Sequence, residues 1–138
     1  MSFGRDIQTL TNVIKILRRE VDEHFPVQMV HVILAVAQRP GITTAELVKE
    51  TDLSQPAVSR LLTSLGKEHY TRKKAGYNIV DTVDDPEDSR RKISFLTKKG
   101  RDLMGQLIGV LHGTTQVDFE SPVARAHVAS IVKARSGV

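Results

Sequence analysis

Residues 84–100 read DDPEDSRRKISFLTKKG: four acids, then three bases, then a short apolar run that ends at a threonine. An Asp-Pro pair starts a turn well, because the aspartate side chain accepts backbone hydrogen bonds and proline pre-sets its own φ. Residues 92–97, KISFLT, and residues 77–83, YNIVDTV, are both rich in β-formers. Together they predict a hairpin with Asp85-Pro86 at its turn and Asp88, Arg90 and Arg91 just beyond it.

The stretch before this hairpin, residues 42–65, reads ITTAELVKETDLSQPAVSRLLTSL. Thr43 and Glu46 have the spacing of a capping box, in which each side chain satisfies a backbone amide at a helix start. A short helix should run to about Glu50, followed by the tight turn Thr51-Asp52-Leu53. Ser54 is a good N-cap for a second helix, and Pro56 is tolerated in its first turn. Val58, Leu61, Leu62 and Leu65 form its buried stripe; Gln55, Ser59, Arg60 and Thr63 form its other face, with Pro56 at the N-terminal edge. Two short helices with an outward face of small, hydrogen-bonding and forked cationic groups predict a helix-turn-helix, whose second helix enters a DNA major groove. A hairpin directly after such a helix is a wing.

Residues 66–76, GKEHYTRKKAG, have no apolar period and predict a mobile basic loop. Upstream, Phe3, Ile7, Leu10, Ile14, Leu17 and Val21 alternate spacings of four and three, which predicts an amphipathic helix with a heptad-like seam. Phe25-Pro26 interrupts it, and a helix over residues 27–38 should turn Val30, Ile33, Leu34 and Ala37 inward before Pro40-Gly41 stops it. Downstream, Thr97 should cap a helix carrying Leu103, Leu107, Val110 and Leu111 and ending near Gly113. Lys98 and Lys99 in its first turn oppose the positive end of the helix dipole, which makes more sense with an anion nearby, while exposed lysines often carry no such meaning. A polar linker, an N-cap at Ser121 followed by Pro122, and a weakly amphipathic last helix complete the chain.

The 138 residues predict one domain with a real core. No cysteine is present, which excludes disulfides, thiolate metal sites and thiol redox chemistry. The longest apolar run, VHVILAVA, is too short to span a bilayer, and MSFGRDIQ lacks a signal-peptide core, so a cytoplasmic protein without membrane association is expected. Net charge is +4, and ten of the twenty Lys and Arg residues fall within residues 66–101. The same window holds six acids, Glu68, Asp81, Asp84, Asp85, Glu87 and Asp88, so it is not a simple basic tail, and both an anionic partner and a solvated face fit it.

The motifs LSQPAVSRLLTSL and DPEDSRRKISFLTKKG resemble the MarR family of winged-helix transcription regulators. That family's wing is marked by D-P-x-D-x-R followed at a fixed distance by L-T-x-x-G, matched here by Asp85, Pro86, Asp88, Arg90, Leu96, Thr97 and Gly100. The resemblance covers residues 27–111. It implies a mainly α fold with a small β-hairpin wing, in which a winged helix-turn-helix of about residues 27–100 is flanked by dimerisation helices of about residues 1–25 and 101–138. It also implies a homodimeric repressor that binds double-stranded DNA at a pseudo-palindromic site. The DNA-binding residues carried over are Ser54, Gln55, Pro56, Ser59, Arg60 and Thr63 on the recognition helix, and Asp88, Arg90 and Arg91 on the wing. In the family the wing arginine enters a minor groove and is held by the nearby aspartate. The chain departs from the family pattern at residues 66–76, which look like an insertion that either adds phosphate contacts through Lys67, Arg72, Lys73 and Lys74 or forms a disordered spur.

Many members of the family bind a small aromatic acid between the winged helix and the dimer helices, so a small-molecule effector is a further implied partner. Arg18, Arg19, His24 and His31 lie in that region, and none is diagnostic. His24 and His31 have no companions that complete a metal site, and no cofactor is expected. The chain has no G-x-S-x-G, P-loop or H-E-x-x-H, and an enzyme is not expected. The rival reading is a winged helix used as a protein-interaction or assembly module, which predicts weak and non-selective DNA binding.

Overall fold

The capping box is formed. Thr43 Oγ1 accepts from the Glu46 amide at 3.1 Å and Glu46 Oε1 accepts from the Thr43 amide at 3.0 Å, which starts helix α3 (Thr44–Thr51). The computed structural model describes residues 2–67 and 75–136. Before α3 come α1 (Gly4–Glu20), α2 (Val27–Gln38) and a two-residue strand, β1 (Ile42–Thr43). After it come α4 (Gln55–Leu65), β2 (Val80–Asp85), β3 (Asp88–Leu96), α5 (Lys98–Leu111) and α6 (Ala124–Arg135). The fold is mainly α with a small antiparallel sheet in the order β1-β3-β2. β1 was not expected: it pairs Ile42 with Ser94 and Thr43 with Ile93, and two residues are too few to show a period.

The turn between α3 and α4 follows its residues. Asp52 closes α3 in the left-handed region, at φ 58°, which aspartate tolerates through local side-chain hydrogen bonding. Ser54 Oγ then accepts from the Ala57 amide at 3.2 Å and caps α4. Val58, Leu62 and Leu65 are buried and Leu61 is half-buried, as the stripe requires.

Several expectations shift. The first wing strand begins at Val80, not Tyr77, because the backbone before it is already committed to the end of α4. The amides of Tyr77, Asn78 and Ile79 donate to the carbonyls of Ser64, Gly66 and Leu65 at 2.8 to 2.9 Å, satisfying orphan acceptors at a helix end. In α2 the buried face is Met29, Val32, Ile33 and Val36, while Leu34 is exposed. This helix is apolar nearly all round, so its period does not select a face.

The seam of α1 divides. Leu17 is buried, whereas Phe3, Ile7, Leu10 and Ile14 are 59%, 62%, 67% and 51% exposed. Only the C-terminal part of the helix, with Val13 and Ile16, meets the core, where α1 packs on α5. In α5 the buried residues include Leu103, Met104 and Leu107, while Leu111 is 66% exposed. The linker crosses α5 at Gly105 and Gly109: the Val117 amide donates to the Gly105 carbonyl at 3.1 Å and the Thr114 amide to the Gly109 carbonyl at 2.9 Å, and a Cβ on Gly105 would lie 2.3 Å from the Val117 carbonyl oxygen. Any side chain there would lift the linker away.

In the first turn of α5, Lys98 pairs with Asp102 at 3.1 Å and Lys99 donates to the Tyr77 carbonyl at 3.0 Å, so both lysines have partners within the chain. The cap of α6 is Val123, not Ser121. Pro122 separates Ser121 from the helix, and Ser121 Oγ is buried without a hydrogen bond among the described residues. Within the chain, α6 packs on β2 and β3. No helix among the described residues is long and apolar enough to cross a membrane.

Candidate nucleic-acid interface

Each of the three bases of the wing pairs with an acid. Lys92 pairs with Asp84; Arg91 Nη2 meets Asp85 Oδ2 at 2.9 Å; and Arg90 binds Asp88 with Nε to Oδ1 at 3.0 Å and Nη2 to Oδ2 at 3.1 Å. The Arg90 amide adds a third bond to Asp88 Oδ1 at 3.1 Å. Hydrogen bonds from the Arg90 side chain, and then from its amide, hold the Asp88 carboxyl below its ordinary value, and the side-chain bond to Asp88 raises the Arg90 guanidinium above its own.

Register explains why Arg90 projects. The β2–β3 ladder runs regularly from Val80↔Leu96 to Asp84↔Lys92, then jumps: Asp85 lies opposite Asp88, where a regular ladder would bring Arg91. Ser89, Arg90 and Arg91 are left without partners on β2. Such a bulge bends the strand and re-aims its side chains. The Arg90 side chain is accordingly 88% exposed, although the Nε–Nη2 edge of its guanidinium is anchored.

On α4, the expected residues fall on two flanks. Gln55 and Ser59 line a groove of about 430 Å³ together with Arg90, Arg91 and Lys92 of the wing and Thr44 at the start of α3. Ser59 and Thr63 continue along an adjoining hollow of about 320 Å³ with Lys67, Thr82 and Lys92. Residues more than thirty positions apart in sequence thus share one concave surface. Arg60 lies on the other flank of α4, beside a hollow of about 360 Å³ that Met29, Leu53, Leu61 and Tyr77 also line. Ser54 and Pro56 are exposed at the N-terminus of α4, where the Ser54 oxygen serves as the cap. Thr44 and Lys92 were not singled out from the sequence. Thr44 could have been found from its position directly after the cap, and Lys92 from its place next to Arg90 and Arg91. Arg72, Lys73 and Lys74 lie outside the described residues.

Of the side chains considered for an effector, Arg18 pairs with Glu23 at 3.2 Å, Arg19 with Glu20 at 2.9 Å, and His31 lies 3.7 Å from Glu50. Among the described residues no group of three His, Asp or Glu side chains could hold a metal ion.

The chain, a helix-turn-helix followed by a bulged two-stranded wing, has the fold of several solved structures. The structure is similar to S. aureus MepR in complex with DNA, at a TM-score of 0.58 and 20% identity, covering 94% of this chain and 89% of that one. It is similar to MarR, at 0.54 and 21% over 80% of this chain and 74% of that one. The fold is that of the MarR regulators. A third MarR-like structure, PcaV of Streptomyces coelicolor in complex with its natural ligand, aligns at 0.51 and 17% over 97% of this chain and 87% of that one. No family model and no curated protein matches the sequence.

Proposed function

We propose that this protein is a sequence-specific, double-stranded DNA-binding transcriptional regulator that acts as a homodimer on a pseudo-palindromic site. One observation carries the reading: Gln55 and Ser59 of α4 and Arg90 and Arg91 of the wing line a single groove. A B-DNA major groove of about 12 Å and the adjacent minor groove of about 6 Å are separated by one sugar–phosphate strand. With α4 in the first and the wing in the second, that strand runs through the groove between them. Thr44, Ser59, Lys67 and Lys92 then supply phosphate donors, which position the protein without reading sequence.

Sequence is read on either side of that strand. Gln55 can pair with an adenine edge, and Arg60, on the outer flank of α4, can donate two hydrogen bonds to guanine. Arg90 is attracted by the enhanced negative potential of a narrow A·T-rich minor groove. Ser54, Pro56 and Thr63 complete the contact face of the helix. The exposed apolar face of α1 supplies the homodimer contact, and two winged helices related by a two-fold axis match half-sites about one helical turn apart. A dimer covering such a site excludes polymerase where the site overlaps a promoter, so repression is the sign of regulation we assign. The hollow beside Arg60, with Met29, Leu53 and Leu61, is of a size that suits a small-molecule effector. An effector there would touch a DNA-reading side chain directly.

Selection from random duplex DNA with the purified protein tests the reading. A two-fold site should be enriched, with affinity falling steeply as salt rises because several phosphates are neutralised. Weak, salt-sensitive binding with no enriched site would instead favour the winged helix as a protein-interaction module.

A further inference from the structure

The wing is apolar on the face that points away from the core. Val83, Ile93 and Phe95 share that face, and α6 covers it: Ala124 is 1% exposed and the Phe95 ring meets His127 with centroids 5.1 Å apart. This cover explains why β3 is buried on both faces from Ile93 to Leu96. At its other end, α6 reaches the wing tip. Arg135 donates from Nη1 to the Pro86 carbonyl at 2.6 Å and from Nη2 to the Glu87 carbonyl at 3.4 Å.

Pro86 and Glu87 are the turn between β2 and β3. From inside, Asp85 Oδ1 accepts from the Glu87 amide at 2.9 Å; from outside, the Arg135 fork holds the two carbonyls. The turn is therefore gripped on both sides, three residues before Arg90. Excess charge is not what the tip itself offers DNA, since Arg90, Arg91 and Lys92 face Asp84, Asp85, Glu87 and Asp88. What it offers is a guanidinium held in one place, so whatever holds the turn bears on recognition.

We infer that Arg135 is a positioning residue of the wing: its fork on the Pro86 and Glu87 carbonyls fixes the turn from which Arg90 is aimed, which makes α6 part of the DNA-reading apparatus. The consequence for recognition rests on the regulator reading above; the contact itself does not.

Two measurements on the full-length protein separate the two. In the free protein, the Glu87 and Arg90 amides, bonded to Asp85 and Asp88, should exchange their hydrogens about two- to tenfold faster in Arg135→Ala than in wild type, the scale of one lost hydrogen bond. Unchanged exchange overturns the clamp whether or not DNA is bound. On a site selected by the wild type, Arg135→Ala should lose preference for A·T-rich over G·C-rich flanks, and the double variant with Arg90→Ala should bind no worse than Arg90→Ala alone. Losses that multiply in the double variant, or an intact flank preference in Arg135→Ala, overturn action through Arg90. If the wild type selects no site, the regulator reading fails, and hydrogen exchange still decides the clamp.

Discussion

Asp88 holds Arg90 by both of its carboxylate oxygens, at 3.0 and 3.1 Å, while the Arg90 side chain remains 88% exposed. An anchored yet exposed arginine is what a minor-groove contact needs, because the entropy of ordering the side chain is spent before DNA arrives. Asp88→Ala should therefore narrow the preference for A·T-rich flanks by roughly two- to tenfold, the cost of immobilising one long side chain on binding. Removing an acid beside phosphates acts in the other direction on all sequences, so non-specific affinity should rise in the same variant. Fluorescence anisotropy with duplexes differing only in their flanks reads both; a uniform loss on every sequence contradicts the assigned role.

Helix and wing should fail differently. On the proposed arrangement Arg60→Ala removes a base-edge contact, with a loss of about 1 to 3 kcal/mol confined to one position of each half-site. Arg90→Ala should weaken binding through the flanks and leave the central preference unchanged. Site selection repeated with each variant distinguishes the two; equal losses on every sequence for both count against the arrangement of α4 and wing on DNA.

How far the residues disclosed this arrangement depends on the range of the signal. The capping box, Ser54 and the turn at Asp52 were legible because each is closed by a neighbour within a few residues. Pairing of Asp88 with Arg90 was legible for the same reason. The start of β2 was not, because β-rich residues 77–79 are used to satisfy the end of α4, a contact between segments. Placement of α6 was hidden likewise: its weak amphipathicity says nothing about which surface it covers, although Ile93 and Phe95 on one face of a wing strand were a clue that something must. Arg60 fell on a different flank from Gln55 and Ser59 because a helical wheel gives the angle of a residue but not the position of the wing beside it.

Tyr77 gives stability an alkaline limit. Its hydroxyl donates to Asp22 Oδ2 at 2.7 Å, and that bond, with some burial, pushes the phenol up to about 12. The folded state thus binds this proton more tightly than the unfolded state, where the ordinary value is 10.0. Its contribution is fully present below about pH 10 and is lost as pH rises from there through the folded value near 12. Tyr77→Phe should cost about 1 to 2 kcal/mol near neutral pH and flatten the decline above pH 10. Urea unfolding across the alkaline range, with phenolate absorbance of both proteins, checks it; parallel declines would dissociate Tyr77 from the effect.

The capping box has the opposite sign. The Glu46 carboxyl is lowered from 4.5, first by the Thr43 amide and then by the Thr43 side chain, with Arg39 adding to the effect. Its contribution is present above 4.5 and fades as pH falls through the lowered folded value. Thr43→Ala should cost about 1 kcal/mol at neutral pH. Glu46→Gln keeps the geometry of the box but not the charge, so it should be less stable than wild type at neutral pH, approach it in acid and lose the acid dependence. Denaturant midpoints at neutral and acidic pH test this, and an unchanged acid dependence in Glu46→Gln would assign it elsewhere.

The exposed face of α1 bears on the oligomeric state. Phe3, Ile7, Leu10 and Ile14 recur at spacings of four, three and four, and each is more than half exposed. Each buried in an interface would contribute about 1.5 to 3 kcal/mol of apolar transfer. A second copy of the same helix, related by a two-fold axis, presents the same stripe and can cover it along its length. Leu10→Glu combined with Ile14→Glu places carboxylates in that seam, where desolvation without partners opposes association. Sedimentation equilibrium should give twice the 15.3 kDa chain mass for wild type and the single-chain mass for the double variant. Helical content should be retained, because neither side chain is buried within one chain. Binding to the two-fold site should fall steeply in the monomer, since each half-site is then held alone and the second contact is no longer made at high effective concentration. A double variant that stays dimeric would place the interface on another surface.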